Sequence, residues 1–355
     1  MSPEDAPPPA PRGARRKRVT LADVARRAGL SSAAASMILT GRPDTRLSPE
    51  AHQRVHAAAA ELGYRPNVAA RALRTARTKS FAFISDHVAS TRFASGLVRG
   101  ALSAAEEADH MLLLLETRGE PGREAQAIET ALDRQVDGIV FASMRAREVS
   151  MPKIPPGLRA IMLNGTSQQC PTAVLPDEYE GGRAAVTLLA EAGVTEGIAL
   201  LGHEPGAEKG LFRSQSVIRR LAGIRDEMAA RGMAFEVELS AWNWEPQNGH
   251  TLTQRLLRRR TRPRALLCLN DRLAFGAYQA LGEAALAIPE EVALVSFDDD
   301  EIAGYLRPGL TTIALPHEEM GARAVRYLLQ ETMEEVETLV PMQPIIRGSL
   351  PGAQE

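Results

Sequence analysis

From Phe81 onward the sequence falls into short, nearly continuous apolar runs separated by amphipathic segments of helical length, and this alternation leaves few folds open. The runs are Phe81 to Ser85, Met111 to Leu115, Gly138 to Phe141, Ala160 to Leu163, Ile198 to Leu201, Ala265 to Leu269 and Val292 to Phe297. A strand that is apolar at every position is buried on both faces, as happens where helices cover a parallel sheet from both sides. Seven such repeats exceed one typical α/β domain, so the spacing predicts two doubly wound lobes of similar size whose facing strand ends form a cleft. The longest run is far shorter than the roughly 20 residues a membrane-spanning helix needs.

Before Phe81 the chain has a different character. Residues 1–80 hold 15 Lys and Arg against 6 Asp and Glu, while residues 81–355 hold 27 against 38, so a formal net charge of only −2 conceals a basic end joined to an acidic remainder. Residues 1–18, with five prolines and the run Arg15-Arg16-Lys17-Arg18, offer no apolar face and read as a disordered tail. They also lack the apolar stretch of a signal peptide, and the two cysteines, Cys170 and Cys268, stand in no CxxC, so a soluble cytoplasmic protein with no membrane partner is expected.

Order is expected from Thr20. Thr20 can cap a helix with Asp23 in the capping-box position, and Leu21, Val24, Ala25 and Ala28 form its apolar stripe up to Gly29. Ser31 can cap a second helix through about Thr40, ended by Gly41, and Ser48-Pro49-Glu50 opens a third that carries Val55, Ala58, Ala59 and Leu62 before Gly63. Two short helices joined through Gly29 and Leu30 in a basic module fit a helix-turn-helix. The second helix of such a pair can enter a major groove, and the alternative is a three-helix cap with a solvated basic face.

The residues themselves point further. The stretch from Val19 to Ser31 (Val-Thr-Leu-Ala-Asp-Val-Ala-Arg-Arg-Ala-Gly-Leu-Ser), then Ser48-Pro49-Glu50 and Glu61-Leu62-Gly63-Tyr64-Arg65-Pro66-Asn67, resembles the N-terminal signature of the lac repressor/galactose repressor family of transcription regulators. The resemblance continues through Leu267-Cys268-Leu269-Asn270-Asp271, Ile288-Pro289-Glu290-Glu291-Val292, Ser296-Phe297-Asp298-Asp299 and Pro308-Gly309-Leu310-Thr311-Thr312-Ile313, covering residues 19 to about 348. It implies an all-α helix-turn-helix head at 19–65, a hinge helix and linker at 66–79, and a core at 80–355 of two doubly wound lobes like a type I periplasmic binding protein. The expected N-lobe takes 80–176 and 314–331, and the expected C-lobe 177–311 and 335–350. The implied partners are a pseudo-palindromic operator in double-stranded DNA, a second copy of the chain and a small-molecule effector, a sugar being favoured and a purine-like ligand the alternative.

On the DNA side the resemblance assigns contacts to Thr20, Ser31, Ser32, Ala33, Ser36, Met37 and Tyr64 in the head and to Asn67, Ala70 and Leu73 in the hinge, with Leu73 as a minor-groove wedge. A hinge helix this short is marginal alone, and a flexible linker is the bland alternative. The second helix departs from the family, because Ser32, Ala33, Ala34 and Met37 stand where relatives often carry polar groups. With no Arg, Asn or Gln for a bidentate base contact, direct readout is thin and phosphate contacts and DNA deformability carry more.

In the core the resemblance assigns effector contacts to Asp86, Phe93 and Asn164 of the N-lobe and to Arg220, Trp244, Asn270 and Asp298 of the C-lobe. Arg220 would anchor a ligand hydroxyl or carboxylate, and Trp244 would stack on a sugar ring. The bland alternatives are that Asn270 and Asp298 cap the helices after them and that Arg220 pairs with Asp226 or Glu227. His52 and His56 have no third ligand nearby and Arg258-Arg259-Arg260 reads as a solvated face, so no metal and no cofactor are expected. The sequence holds no GxGxxG, GxxxxGK[ST], GxSxG or HExxH, which speaks against an enzyme of doubly wound fold. The missing export signal and the basic head speak against a transport protein. No heptad run follows the core, so a dimer is expected without a tetramerising helix.

Overall fold

The computed structural model describes residues 19–40, 47–65, 77–87, 93–144, 149, 151, 153–203, 214–241, 243–330 and 336–353, residues 93 and 94 by backbone alone. The expected tail at 1–18, the helix stop at Gly41, the hinge positions Asn67, Ala70 and Leu73, and the side chain of Phe93 lie outside the described residues. The chain divides into two compact units, Met1–Thr78 and Lys79–Glu355.

In the first unit three helices form, α1 (Leu21–Ala28), α2 (Ser32–Leu39) and α3 (Pro49–Leu62). Each starts on a hydroxyl cap that accepts an otherwise unpaired helix N–H: Thr20 from Asp23, Ser31 from Ala34 and Ser48 from Ala51. Asp23 returns the bond to the Thr20 backbone N–H at 3.0 Å, completing the capping box. Gly29 and Gly63 end α1 and α3 at φ 68° and 60°, left-handed angles that glycine takes without Cβ strain. Val24, Ala25, Ala35, Ile38, Val55 and Ala58 close a small core between the helices.

The second unit holds two six-stranded sheets. The first contains β1 (Ser80–Ser85), β2 (Met111–Glu116), β3 (Gly138–Ala142), β4 (Arg159–Leu163), β5 (Ala173–Pro176) and β11 (Glu337–Val340), in the order β11-β5-β4-β3-β1-β2 and parallel throughout. The second contains β6 (Ile198–His203), β7 (Phe235–Ser240), β8 (Ala265–Cys268), β9 (Ala293–Asp298), β10 (Thr311–Ala314) and β12 (Gln343–Ile345), in the order β12-β10-β9-β8-β6-β7. Helices α4 (Phe93–Glu107) and α11 (His317–Leu329) cover one face of the first sheet and α5 (Pro121–Asp133) the other. In the second sheet α6 (Glu178–Glu191) and α7 (Gln215–Ala230) cover one face, and α8 (Pro246–Leu257) and α9 (Asp271–Glu283) the other. A short α10 (Glu301–Tyr305) follows β9.

Two expectations need correction. The segment 335–350 does not belong wholly to the second lobe, because β11 pairs in parallel with β5 of the first sheet and only β12 returns to the second. Nor is the second sheet entirely parallel: β12 runs antiparallel to β10, an arrangement open to an edge strand that follows β11 after only two residues.

Candidate functional site

On α2 the helical repeat separates two faces. Ala34, Ala35 and Ile38 point into the head's core, whereas Ser31, Ser32 and Ala33 are exposed and Ser36 and Met37 are half-buried beside them. The sequence-assigned contact residues of α2 therefore share its outer face, and Ala34 is withdrawn from it. Two hydroxyls are already engaged: Ser31 Oγ caps α2 at 3.2 Å, and Thr40 donates to the Ser36 carbonyl at 2.8 Å. Thr20 donates its hydroxyl proton to Asp23 at 2.7 Å, so a DNA contact donated by Thr20 would have to displace that bond. Tyr64 is half-buried against the head's core, next to the exposed Arg65.

In the core, strand order directs attention to two places. In each sheet the order reverses, between β1 and β3 in the first and between β6 and β8 in the second, and the crevice outside the carboxyl ends at such a reversal is where α/β folds bind ligands. At the first crevice stand Ser85, Asp86 and Ser143. Asp86 Oδ1 accepts from the backbone N–H groups of His87 and Met144, both at 2.9 Å, which ties the ends of β1 and β3 together. Among the described residues its Oδ2 has no partner although Asp86 is only 4% exposed, and Ser85 Oγ and Ser143 Oγ, equally buried, have none either. Beside them Asn164, at φ 54°, donates its Nδ2 to the Ser143 carbonyl at 2.9 Å. Buried polar atoms are nearly always satisfied, so three unpaired atoms gathered on adjacent strand ends stand out, the other two, Thr253 Oγ1 and Tyr327 Oη, lying singly on helices.

At the second crevice Arg220, 3% exposed, is held on every side. Its Nε and Nη2 donate to the two oxygens of Glu178 at 2.6 and 2.9 Å, its Nη1 donates to the Leu269 carbonyl at 2.5 Å, and its guanidinium lies 4.3 Å from the Phe297 ring centre and 5.9 Å from that of Trp244. Asp298 Oδ1 stands 3.9 Å from Nη2. The expected alternative partners are engaged elsewhere, Glu227 by Arg183 and Arg231 and Asp226 by the Tyr179 hydroxyl. Sequence reasoning missed Glu178, whose fork on Arg220 leaves no room for a ligand carboxylate to take the same two donors.

Trp244 donates Nε1–H to the Gly202 carbonyl at the end of β6 at 2.8 Å, which fixes its ring over the crevice. Asn270 caps α9 by accepting from Leu273 N–H at 2.9 Å and donates to the Trp244 carbonyl at 3.3 Å, so the capping alternative is realised for this residue. Asp298 caps nothing; Asp300 caps α10, and Asp298 sits at φ 113°, a backbone conformation that non-glycine residues rarely adopt. Behind them Asp271, fully buried, accepts from the hydroxyls of Ser296 and Thr312 and from Asp300 N–H.

These acids are electrostatically tense. Burial raises Asp271 to about 7 against the pull of its hydrogen bonds. Burial also lifts Asp298 well above the carboxylate range, opposed by Arg220 and reinforced by Asp271 and Glu178. For Arg220 burial works against the charge, but the carboxylates of Glu178, Asp298 and Asp271 more than restore it. A cleft of about 770 Å³ adjoins Asp298, lined by Ser95, Gly96 and Arg99 of α4 and by residues 298–301 and 314–319. It lies at the carboxyl ends of β9 and β10 and is bounded on the first-lobe side by the start of α4; of the expected effector contacts Asp298 lines it, whereas Asp86, Asn164, Arg220, Trp244 and Asn270 do not. Among the described residues no group of His, Cys, Asp and Glu could hold a metal ion, and no helix is long and apolar enough to cross a membrane.

Comparison with known proteins gives the arrangement a context. Residues 20–67 match the family model described as bacterial regulatory proteins, lacI family, and residues 186–350 match that of the periplasmic binding protein-like domain. The HTH-type transcriptional regulator AscG of Escherichia coli (strain K12) is 34% identical over 309 residues, 85% of this chain and 88% of its own. The ribose operon repressor of the same strain is 30% identical over 344 residues, 93% of this chain and 99% of its own. Among solved structures, a lac repressor dimer bound to operator and an anti-inducer superposes with a TM-score of 0.74 at 24% identity, covering 94% of this chain and 99% of that one.

Proposed function

The chain belongs to the lacI family of bacterial regulatory proteins, and from that premise we propose that it represses transcription as a dimer on a pseudo-palindromic operator, under the control of a small polyhydroxyl effector held between the core lobes. It acts by binding alone, with no reaction of its own, in the cytoplasm on the nucleoid. The α2 face of Ser31, Ser32, Ala33, Ser36 and Met37 enters the major groove, Thr20 and Tyr64 approach phosphates, and Asn67, Ala70 and Leu73 serve the hinge. Few of these groups discriminate between bases, so most of the affinity comes from neutralised phosphates. Operator binding should therefore weaken steeply with salt, log K falling by about 0.9 per unit of log salt for each phosphate neutralised. A flat plot from anisotropy titrations between low and physiological salt would remove this account of the head.

The effector reading is carried by one observation, the three unpartnered buried atoms of Ser85, Asp86 and Ser143 at the β1/β3 crevice. Hydroxyl groups of a mono- or oligosaccharide would satisfy them, with Asn164 beside them, Phe93 near by in sequence, and Trp244, Asn270, Asp298 and Arg220 contributing from the second lobe. A relative named for the ribose operon agrees with a sugar. Asp86→Asn is the sharp test, because it keeps the Oδ1 acceptor for His87 and Met144 and turns the orphan acceptor into a donor. Losing a hydrogen bond to a charged acceptor should raise the sugar concentration needed to change operator occupancy by about 10- to 100-fold, with effector-free operator affinity unaltered. The same dose response in both proteins, measured over a panel of sugars, would refute the site.

A further inference from the structure

Between Arg255 and Arg264 the chain carries six arginines, at 255, 258, 259, 260, 262 and 264, all of them exposed. Arg264 meets Glu196 at 3.4 Å, and the other five have no ion pair among the described residues. The helix dipole accounts for part of this cluster, since α8 ends at Leu257 with Arg258 as its C-cap, and a cation in the last turn offsets the partial negative charge there. That effect fades within one turn, so Arg260, Arg262 and Arg264, which lie beyond the helix, are not explained by it. They stand in a segment of the chain that is otherwise strongly acidic, 38 Asp and Glu against 21 other Lys and Arg from residue 81 on.

The chemistry of the patch narrows what it could hold. Arginine forks match phosphate geometry, and no lysine is among them. Residues 251–264 contain no aromatic side chain on which an unpaired base could stack, which disfavours single strands. Leu256 is 1% exposed and Leu257 half-buried, so no apolar face is offered to a lipid surface. What remains is the phosphate backbone of a duplex, gripped without reading its sequence. Repulsion from the acidic remainder does not forbid this, because exposed charges more than about 8 Å apart are largely screened at physiological salt.

Placement gives the patch a use. Residues 258–264 lead into the amino end of β8, whereas the cleft lies at the carboxyl ends of the strands, and the chain enters the core at Ser80, the amino end of β1 in the other sheet. The patch and the entry point thus lie at opposite ends of the core, with the cleft between them. We propose that this arginine surface binds the backbone of a second DNA duplex, so that a molecule seated on its operator can hold another segment of DNA.

The test uses the full chain loaded on beads that carry operator in excess, so that the heads are occupied, followed by a labelled duplex of unrelated sequence. Label should be retained at low salt, released as salt rises, and reduced at least several-fold for the combined variant Arg258→Gln, Arg259→Gln, Arg260→Gln, whose capture by the operator beads stays unchanged. Equal retention by the variant, or none by the unaltered chain, overturns the proposal. So does retention of a labelled polyglutamate peptide in place of the duplex, which would make the partner an acidic protein. Failure of the chain to load on operator beads would instead count against the regulator reading, so the two failures are separable.

Discussion

Arg220→Ala is expected to destabilise the core by about 3–5 kcal/mol, the usual cost of removing one member of a buried pair, and to abolish the response of operator binding to effector. The arginine is surrounded by three acids: Glu178 holds two of its donors, Asp298 stands 3.9 Å away, and Asp271 lies behind. Without it three buried carboxylates face one another with no cation, and the folded chain is driven to take up protons. The sign of the resulting pH dependence follows. A carboxyl whose folded pKa is raised binds more protons folded than unfolded, so its contribution to stability is present below the ordinary carboxylate pKa and is lost as pH rises through the folded value. Asp271, raised to about 7, gives the unaltered protein such a decline between about pH 4 and 7, and Asp298, also raised by burial, adds to it in the same direction.

His317 opposes them, since burial lowers it to about 4 and its contribution grows as pH rises from there to the ordinary histidine value. Two acids against one histidine leave a net fall, and loss of the arginine that restrains Asp298 should steepen it. Urea midpoints at pH 5 and pH 7.5 measure this directly. A variant with parental midpoints at both values would show that Arg220 does not hold the cluster together.

Much of this architecture is visible in the sequence, and the parts that are not have physical reasons. The helix caps Thr20, Ser31 and Ser48 and the stops Gly29 and Gly63 are local signals that tertiary structure leaves in force. The seven apolar runs all correspond to strands, six of them largely because parallel strands covered on both faces must be apolar throughout; β2 is the exception, an edge strand whose Met111 and Leu114 are exposed. Five strands escaped that criterion. In β7 exposed Glu236, Glu238 and Ser240 alternate with less exposed residues, as suits a sheet edge, while β5, β10, β11 and β12 are four residues or fewer. Resemblance drew attention to Arg220 and Asp298, but the buried partner of Arg220, Glu178, escaped notice, since nothing local pairs it with a residue 42 positions away. Ser85 and Ser143 look like ordinary strand-end serines until the strand order puts β1 beside β3 and leaves their hydroxyls unpaired.

Gly223→Ala should be nearly as damaging as loss of the arginine, and for a reason the sequence conceals. A Cβ at Gly223 would stand 2.0 Å from the Tyr179 carbonyl oxygen, and one at Gly182 would stand 2.3 Å from that of Arg220. Helices α6 and α7 cross with their backbones in contact through these two glycines. Tyr179 follows Glu178 directly, and Arg220 lies three residues before Gly223, so the crossing that needs glycine is also the one that brings the ion pair together. A methyl group cannot be absorbed by rotating a side chain when its neighbour is backbone. The helices must part, at a cost of about 1–3 kcal/mol or more for overpacking, and the 2.6 and 2.9 Å bonds from Arg220 to Glu178 must stretch with them. In α5, by contrast, nothing lies within 4 Å of a Cβ at Gly122, and Gly122→Ala should add about 0.5–1 kcal/mol through helix propensity. The same substitution therefore acts with opposite signs in two helices of one core. Effector response is lost only at the crossing, because only there does helix separation displace the buried arginine, and a Gly223→Ala protein with parental stability and effector response would show that the close crossing does not position the site.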